Sequence, residues 1–422
     1  MNMPFSADNC RITIEKQGSS RYTRISYPIH CGIFTEMATD SMVFHFNLNA
    51  EIIRAKLKGS AWPHPHEWLK RTRGGDWVYY STGGYAGVFE ATGEYYLPNF
   101  AYPTNNLLGG HPFTQQEIAG LTQSWHDRLV RAAETMPQAS AAERNFLAAA
   151  AANTPALLAD RAKELAAIIG GRISVLPPDA RHVDYNLVPL TIAEGCLYKC
   201  RFCKVKNSAP FREKTRDEIR LQLARLKGLY ARDLVNYNAL FLGEHDALQA
   251  SPELILFALD EAFRELGFAH SVIDGHRIFL FGSVTSLLNA PEHLFQELNR
   301  RPGLTFINIG LESADGETLA RLGKPVSVRE IGDAFTRMQE INESYENIEV
   351  TGNFVMADDL PENHYPAVLH LIRNRLTHNR PKGTVYFSPL AFGQPSRARL
   401  FDFNRLKIAS RLPTFLYIIQ RL

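Results

Sequence analysis

The stretch Asn186-Leu-Val-Pro-Leu-Thr-Ile-Ala-Glu-Gly195-Cys-Leu-Tyr-Lys-Cys200-Arg-Phe-Cys203 joins a short apolar run to a loop that carries three thiols within eight residues. The run Asn186–Ile192 is too short for a helix and nearly uninterrupted, as a strand buried on both faces is. Five more runs of the same texture follow: Ala239–Leu242, Ile278–Phe281, Thr305–Leu311, Ile348–Val355 and Val385–Phe387. Helix signals separate them. One helix starts at the capping box Thr215-Arg-Asp-Glu218 and carries Ile219, Leu223 and Leu226 on one face; others start at Ser251-Pro252, Ala290-Pro291 and the box Ser327-Val-Arg-Glu330, and a fifth runs over about residues 362–377. Strand and helix alternating in this way predict a parallel sheet with helices outside, either open and doubly wound or a full or partial barrel. Active sites in both architectures lie at the C-terminal strand ends, which is where the cysteine loop falls.

Upstream the texture changes. Met42–Leu48, Trp77–Ser81, Gly87–Ala91 and Glu94–Leu97 are aromatic and β-branched stretches broken by Gly and Pro, and they read as strands and hairpins. The box Ser140-Ala-Ala-Glu143 opens an Ala-rich helix, and Thr154-Pro155 opens another that stops at Gly170-Gly171. Trp62, Trp68, Trp77 and Trp125 either line a pocket or form the core of a small β-rich module. Pro177-Pro178 breaks the chain. The expected division is an aromatic-rich α+β module over 1–178, the alternating domain over 179–392 and a tail over 393–422.

The composition narrows the function. The chain has 422 residues, 45% apolar, and 46 basic against 44 acidic residues give a formal charge of +2. That balance argues against a polyanion-binding surface over the whole molecule, while a local basic patch would not register in the total. Five cysteines are too few, and of the wrong parity, for a disulfide scaffold. Met1–Arg11 lacks the pattern of a signal peptide, and no apolar run reaches the 18 or so residues of a membrane span, since Leu412–Leu422 is interrupted by Gln420 and Arg421. A reducing cytoplasm is expected, with the thiols free for metal.

Three thiols on one strand-end loop can surround one inorganic group. A four-iron cluster normally takes four thiolates, so three leave one iron open to a ligand, much as catalytic zinc keeps an open position. Gly195 gives the backbone room to turn there. A zinc site would need a fourth ligand; His182 and His245 are nearest in sequence, and Cys10 or Cys31 could complete a closed site.

Cys196-x3-Cys200-x2-Cys203, with Phe202 before the third cysteine, resembles the signature of the radical S-adenosylmethionine (radical SAM) superfamily, over roughly residues 184–390. The resemblance implies a partial (βα)6 TIM-type barrel and a [4Fe-4S] cluster on Cys196, Cys200 and Cys203. It also implies S-adenosylmethionine chelated to the open iron and cleaved by one electron to a 5'-deoxyadenosyl radical that takes hydrogen from a substrate. An electron donor of the flavodoxin or ferredoxin type is implied with it. The run Gly243-Glu244-His245-Asp246-Ala-Leu is similar to the second strand end of the branch containing oxygen-independent coproporphyrinogen oxidases and the radical tRNA-modifying elongator subunit, although Leu242 replaces the usual first glycine. On that model Gly243 and Glu244 receive the methionine amino group, Ser283 and Glu312 reach the ribose, and Lys324, in place of the commoner Arg, pairs with the methionine carboxylate. Val355 and Met356 pack on adenine, and Tyr386 or Ser388 either faces substrate or ends a strand.

The substrate is expected to be a small molecule. No second cysteine-rich region, cobalamin-binding pattern or C-terminal acetyltransferase-like domain is evident in the sequence. Two other readings remain: an RNA- or protein-modifying radical enzyme, for which Arg201, Lys204, Lys206, Arg212 and Lys214 could form a basic rim, and a zinc-stabilised binding protein without catalysis.

Overall fold

The computed structural model describes residues 10–22, 30–62, 68–81, 95–97, 116–134, 136, 138–203, 209–243, 246–376, 382–390 and 397–417. The N-terminal module is an antiparallel meander of seven strands in chain order, β1 (Arg11–Gln17), β2 (Ile33–Ala38), β3 (Met42–Phe46), β4 (Ile52–Leu57), β5 (Trp68–Arg71), β6 (Trp77–Ser81) and β7 (Tyr95–Leu97). Strand alternation sends Met37, Phe44, Phe46, Ala55 and Leu69 to one face. There they pack with Leu121, Trp125 and Leu129 of α1 (Gln116–Glu134), Leu147 and Ala150 of α2 (Ala141–Ala152) and Leu158 of α3 (Pro155–Ile169). Trp62 belongs to the same core, Trp77 packs against it, and Trp68 joins Val43 and Val78 in a small cluster, so the tryptophans are core residues. Gly87–Ala91, expected as a strand, lies outside the described residues.

Both anticipated caps hold α2 and α3. Ser140 and Glu143 exchange the two capping-box bonds, Thr154 accepts from Leu157 N–H, and Gly170 ends α3 in the left-handed conformation.

The second sheet is wholly parallel, in the order β8 (Val188–Leu190), β11 (Ala239–Leu242), β12 (Arg277–Gly282), β13 (Leu304–Glu312), β14 (Ile348–Met356), β15 (Val385–Pro389) and β16 (Thr414–Leu416). Its ends, β8 and β16, are not paired with each other, consistent with a partial TIM-type barrel. A two-rung ladder, β9 (Ala193–Glu194) with β10 (Arg212–Glu213), stands between β8 and β11. Its helices are α4 (Arg216–Tyr230), α5 (Pro252–Glu265), α6 (Val284–Asn289), α7 (Glu292–Arg300), α8 (Gly316–Leu322), α9 (Val328–Ser344), α10 (His364–Leu369) and α11 (Arg397–Ala409).

The segment beyond residue 392 corrects the expected tail. It supplies α11 and a seventh parallel strand, with Val385 opposite Thr414 and Phe387 opposite Leu416. Phe403, Leu406 and Leu416 join the main core. A three-residue strand is too short to show periodicity, which is why it reads as tail.

The modules are joined by buried charge. Arg73, between β5 and β6, contacts Glu51 through Nη1 and Asp233 of the barrel domain through Nη2, and its Nε donates to Tyr237 at 3.1 Å. Asn236 accepts from Ile33 N–H at 2.7 Å and donates to Ile33 O at 2.9 Å, attaching β2 to the loop before β11. Removing one partner of a buried pair strands the other charges. Arg73→Met is therefore expected to cost about 3–5 kcal/mol of unfolding free energy in urea titrations; a loss under about 1 kcal/mol would mean that water already solvates the pair.

Candidate active site

The cysteine loop leaves and rejoins the barrel through the β9/β10 ladder, in which Glu194 pairs with Arg212 and Ala193 with Glu213. The loop is pinched at its base. Gly195 has φ +79°, and a Cβ there would lie 2.5 Å from Pro210 O. Arg212 contacts Glu194 at 3.3 Å and Glu218 at 3.1 Å, and Lys214 pairs with Glu194. These two cations of the expected basic rim are thus internally neutralised, while Lys204 and Lys206 lie outside the described residues.

Two further ties fix the thiols. Arg201 N–H donates to Leu322 O at 2.8 Å, fastening the loop to the end of α8. The Tyr198 hydroxyl accepts from Thr285 N–H at 3.0 Å and lies 2.6 Å from Thr285 Oγ1, fastening it to the first turn of α6. Tyr198 N–H points to Cys196 Sγ at 3.4 Å. Cys200 is buried, and Cys196 and Cys203 are half-buried. Burial pushes the Cys200 thiol up to about 11, against the nearby Lys324 charge, while Glu312, Cys203 and Cys196 push it further up. Burial also raises Cys196, with Lys324 opposing.

A bulge builds the facing wall. Pairing of β13 with β14 slips between Gly310 and Glu312, and Glu312 has φ +68°, a strained conformation for a residue with a side chain. Its carboxylate thereby turns back over Gly310 to within 3.7 Å of Lys324 Nζ. A Cβ on Gly310 would stand 2.5 Å from that carboxylate and 3.5 Å from Nζ. Lys324 is 6% exposed, and its ammonium rests 5.2 Å from the centroid of the Tyr198 ring. Burial raises the Glu312 carboxyl, and Lys324 offsets this.

The other expected residues divide. Gly243 ends β11 with φ +78° and donates to Leu190 O at 2.8 Å, whereas Glu244 lies outside the described residues. Ser283 caps α6: its hydroxyl accepts from Ser286 N–H at 3.0 Å and donates to Ser286 Oγ at 3.1 Å. That hydroxyl is committed to the helix end. Val355 stands opposite Ser388 and Met356 opposite Pro389. Successive strand residues face opposite ways, and Met356 belongs to the main core, so the two do not share one ligand face.

Asp246, two residues beyond the Glu244 that fills the motif position, carries no spacing signal of its own. It is 4% exposed and accepts from Ser283 N–H at 2.9 Å and Ser286 Oγ at 2.7 Å, while its Oδ2 is buried without a partner. Burial raises its carboxyl, opposed first by its bonds to Ser283 and Ser286. Tyr198 was also missed, because a tyrosine between two cysteines carries no spacing signal.

Inside the sheet, a polar ladder crosses three strands. Asp179, fully buried in the 3-10 turn Pro178–Val183, accepts from Thr351 Oγ1 at 2.7 Å and Tyr386 OH at 2.6 Å. With its proton given to Asp179, Thr351 accepts from Asn308 Nδ2 at 2.8 Å, and Asn308 Oδ1 in turn accepts from Asn353 Nδ2 at 2.5 Å. Every link donates toward the carboxylate, so the ladder ends in an acceptor, Asn353 Oδ1, which has no partner.

Among the described residues, no three His, Cys, Asp or Glu side chains converge on one point as the ligands of a metal ion would. A four-iron cluster does not require that, because each thiolate meets its own iron. Three soft thiol donors on one pinned loop suit such a group.

Residues 190–372 match the family model described as the radical SAM superfamily. These residues fall within the parallel domain, and the match implies an iron–sulfur cluster and S-adenosylmethionine as the groups that domain would hold. Similar solved structures include a radical SAM methyltransferase from Sphaerobacter thermophilus, 18% identical over 55% of this chain and 65% of that one, with a TM-score of 0.38. Another is the cobalamin-dependent S-adenosylmethionine radical enzyme OxsB, 14% identical over 52% of this chain and 29% of that one, TM-score 0.34. A third is methylornithine synthase (PylB), 15% identical over 70% of this chain and 86% of that one, TM-score 0.31. This chain therefore spans about two thirds of the methyltransferase and under a third of OxsB. No curated protein matches the chain in sequence. Among the described residues no helix is long and apolar enough to cross a membrane.

Two outcomes test this wall and ladder. Gly310→Ala should cost about 1–3 kcal/mol by overpacking against Glu312, whereas Gly228→Ala, on the open face of α4 with no atom within 4 Å, should be neutral or gain up to about 1 kcal/mol; equal effects on denaturation midpoint would discount the crowding. Burial holds the Asp179 carboxyl at about 6 against an ordinary 3.8. The unfolded chain thus releases this proton first, and stability from this group falls as pH rises from about 4 to 6. Relative to Asp179→Asn, the protein should lose stability across that window; parallel pH profiles would contradict the shift.

Proposed function

We propose that Cys196, Cys200 and Cys203 hold a single [4Fe-4S] cluster, that the surrounding strand ends bind S-adenosylmethionine, and that the substrate is a small polar molecule. The observation that carries this reading is the thiol loop itself, pinned to α6 and α8 at the C-terminal strand ends of a radical SAM domain. When bound, the cluster and S-adenosylmethionine supply a one-electron cleavage to methionine and a 5'-deoxyadenosyl radical able to take hydrogen from a substrate.

The chain's own residues bind and orient. Gly243 opens the backbone for the methionine amino group, with Glu244 as its acceptor. Lys324 takes the carboxylate, Glu312 the ribose and Val355 the adenine. Ser283 acts through the helix end that it caps. Tyr198 and Arg201 keep the thiols in register with these groups. An electron donor of the flavodoxin or ferredoxin type and a reducing cytoplasm suit this chemistry.

The unpartnered Asn353 acceptor favours a substrate with an N–H or O–H group, and the near-neutral charge favours a small molecule over a polyanion. The internal pairing of Arg212 and Lys214 weakens the RNA reading.

Anaerobic reconstitution with iron and sulfide, followed by dithionite and S-adenosylmethionine, should give 5'-deoxyadenosine. Alanine at Cys196, Cys200 and Cys203 together should abolish both the cluster absorbance and the product. Product formation unchanged in that variant, or a zinc-loaded wild type that assembles no cluster, would refute the assignment.

A further inference from the structure

Lys324 sits on the aromatic face of Tyr198, the loop residue hydrogen-bonded to α6, and among the described residues its ion-pair partner is Glu312. The placement is costly. Gly310 must lack a side chain, Glu312 must adopt a left-handed backbone, and two charges must leave water. A surface lysine that merely met a ligand carboxylate would need none of these.

The two charges are not equivalent toward the thiols. The Tyr198 ring holds the ammonium on the loop side of the pair, with Glu312 behind it over Gly310.

We propose that the Glu312–Lys324 pair, positioned by Tyr198, sets the reduction potential of the cluster on Cys196, Cys200 and Cys203 before any S-adenosylmethionine binds. This rests on the cluster assignment above. The step concerned is the addition of one electron to the cluster, with no bond made and no proton moved. A nearby cation stabilises the more negative reduced form and raises the potential, and its anionic partner moderates that effect. Lys324 and Glu312 act here as positioning and charge-setting residues.

The sign pattern makes the inference testable. Reconstituted wild type, Lys324→Met, Lys324→Arg and Glu312→Gln are titrated with dithionite in the absence of S-adenosylmethionine, and midpoints are read from the visible absorbance and the signal of the reduced cluster. Lys324→Met is expected to shift the midpoint to more negative values, Glu312→Gln to more positive ones, and Lys324→Arg to stay near wild type. General loosening of the site would move both neutral variants the same way. Like-signed shifts, or none, on intact clusters overturn the inference while leaving the cofactor assignment standing. If Lys324→Met does not retain a cluster, the sign of the Glu312→Gln shift alone decides. Wild type that forms no cluster overturns the cofactor assignment instead.

Discussion

A short loop bearing three thiols has no hydrophobic core of its own, so its shape is dictated by whatever holds it. Here the holding is done by neighbours on the same rim of the barrel. The β9/β10 ladder closes the base, where Gly195 permits a backbone crossing that any side chain would block. Tyr198 binds the first turn of α6, and the Arg201 amide donates to Leu322 O at the end of α8. Those helices follow β12 and β13 directly, so the positions of the sulfurs depend on the register of strands several units away. The parallel sheet is a scaffold for one loop as much as a core.

Buried charge appears at each place where the chain must be held against its own flexibility. Arg73 lies between Glu51 and Asp233 where the two modules meet, and Lys324 lies beside Glu312 where the loop meets the barrel. Such pairs contribute little net stability, since desolvation offsets most of the Coulomb attraction, but they penalise any arrangement that separates them. That makes them suited to fixing geometry. Asp179 differs because its hydrogen-bond partners are hydroxyls, Thr351 Oγ1 and Tyr386 OH, where those acids are paired with cations.

The barrel was legible in the sequence because its strands are nearly uninterrupted apolar runs and its major helices carry explicit caps. Thr215 and Ser327 form the anticipated boxes, and the runs at 239, 278, 305, 348 and 385 are the central strands. The meander was only half legible. Arg11–Gln17 alternates polar residues on an exposed edge, and Ile52–Leu57 places Arg54 and Lys56 on a face that still becomes buried or half-buried. Such strands are defined by their partners and not by their own periodicity. Within the site, the cysteines were readable from spacing, whereas the role of Gly310 was not: it arises from a bulge that only pairing with β14 reveals.

The same distinction separates the two halves of the barrel interior. Phe241, Phe279 and Phe306 stand level on β11 to β13, the next level carries Phe281, Asn308 and Thr351, and the one beyond it Gly310, Asn353 and Tyr386, so aromatic residues on β11 and β12 give way to polar ones toward β14 and β15. An apolar wall opposite a hydrogen-bonded one is asymmetric in what it can recognise. Apolar surface accepts many shapes at modest cost, while an oriented ladder that terminates in one free acceptor rejects a ligand lacking a donor at the matching place. Because the ladder is anchored on a carboxylate, its direction is not free to reverse: Thr351 must donate to Asp179, and each amide beyond it must follow. The direction of every donor in the ladder therefore originates at Asp179, at the other end from the unpartnered Asn353 acceptor.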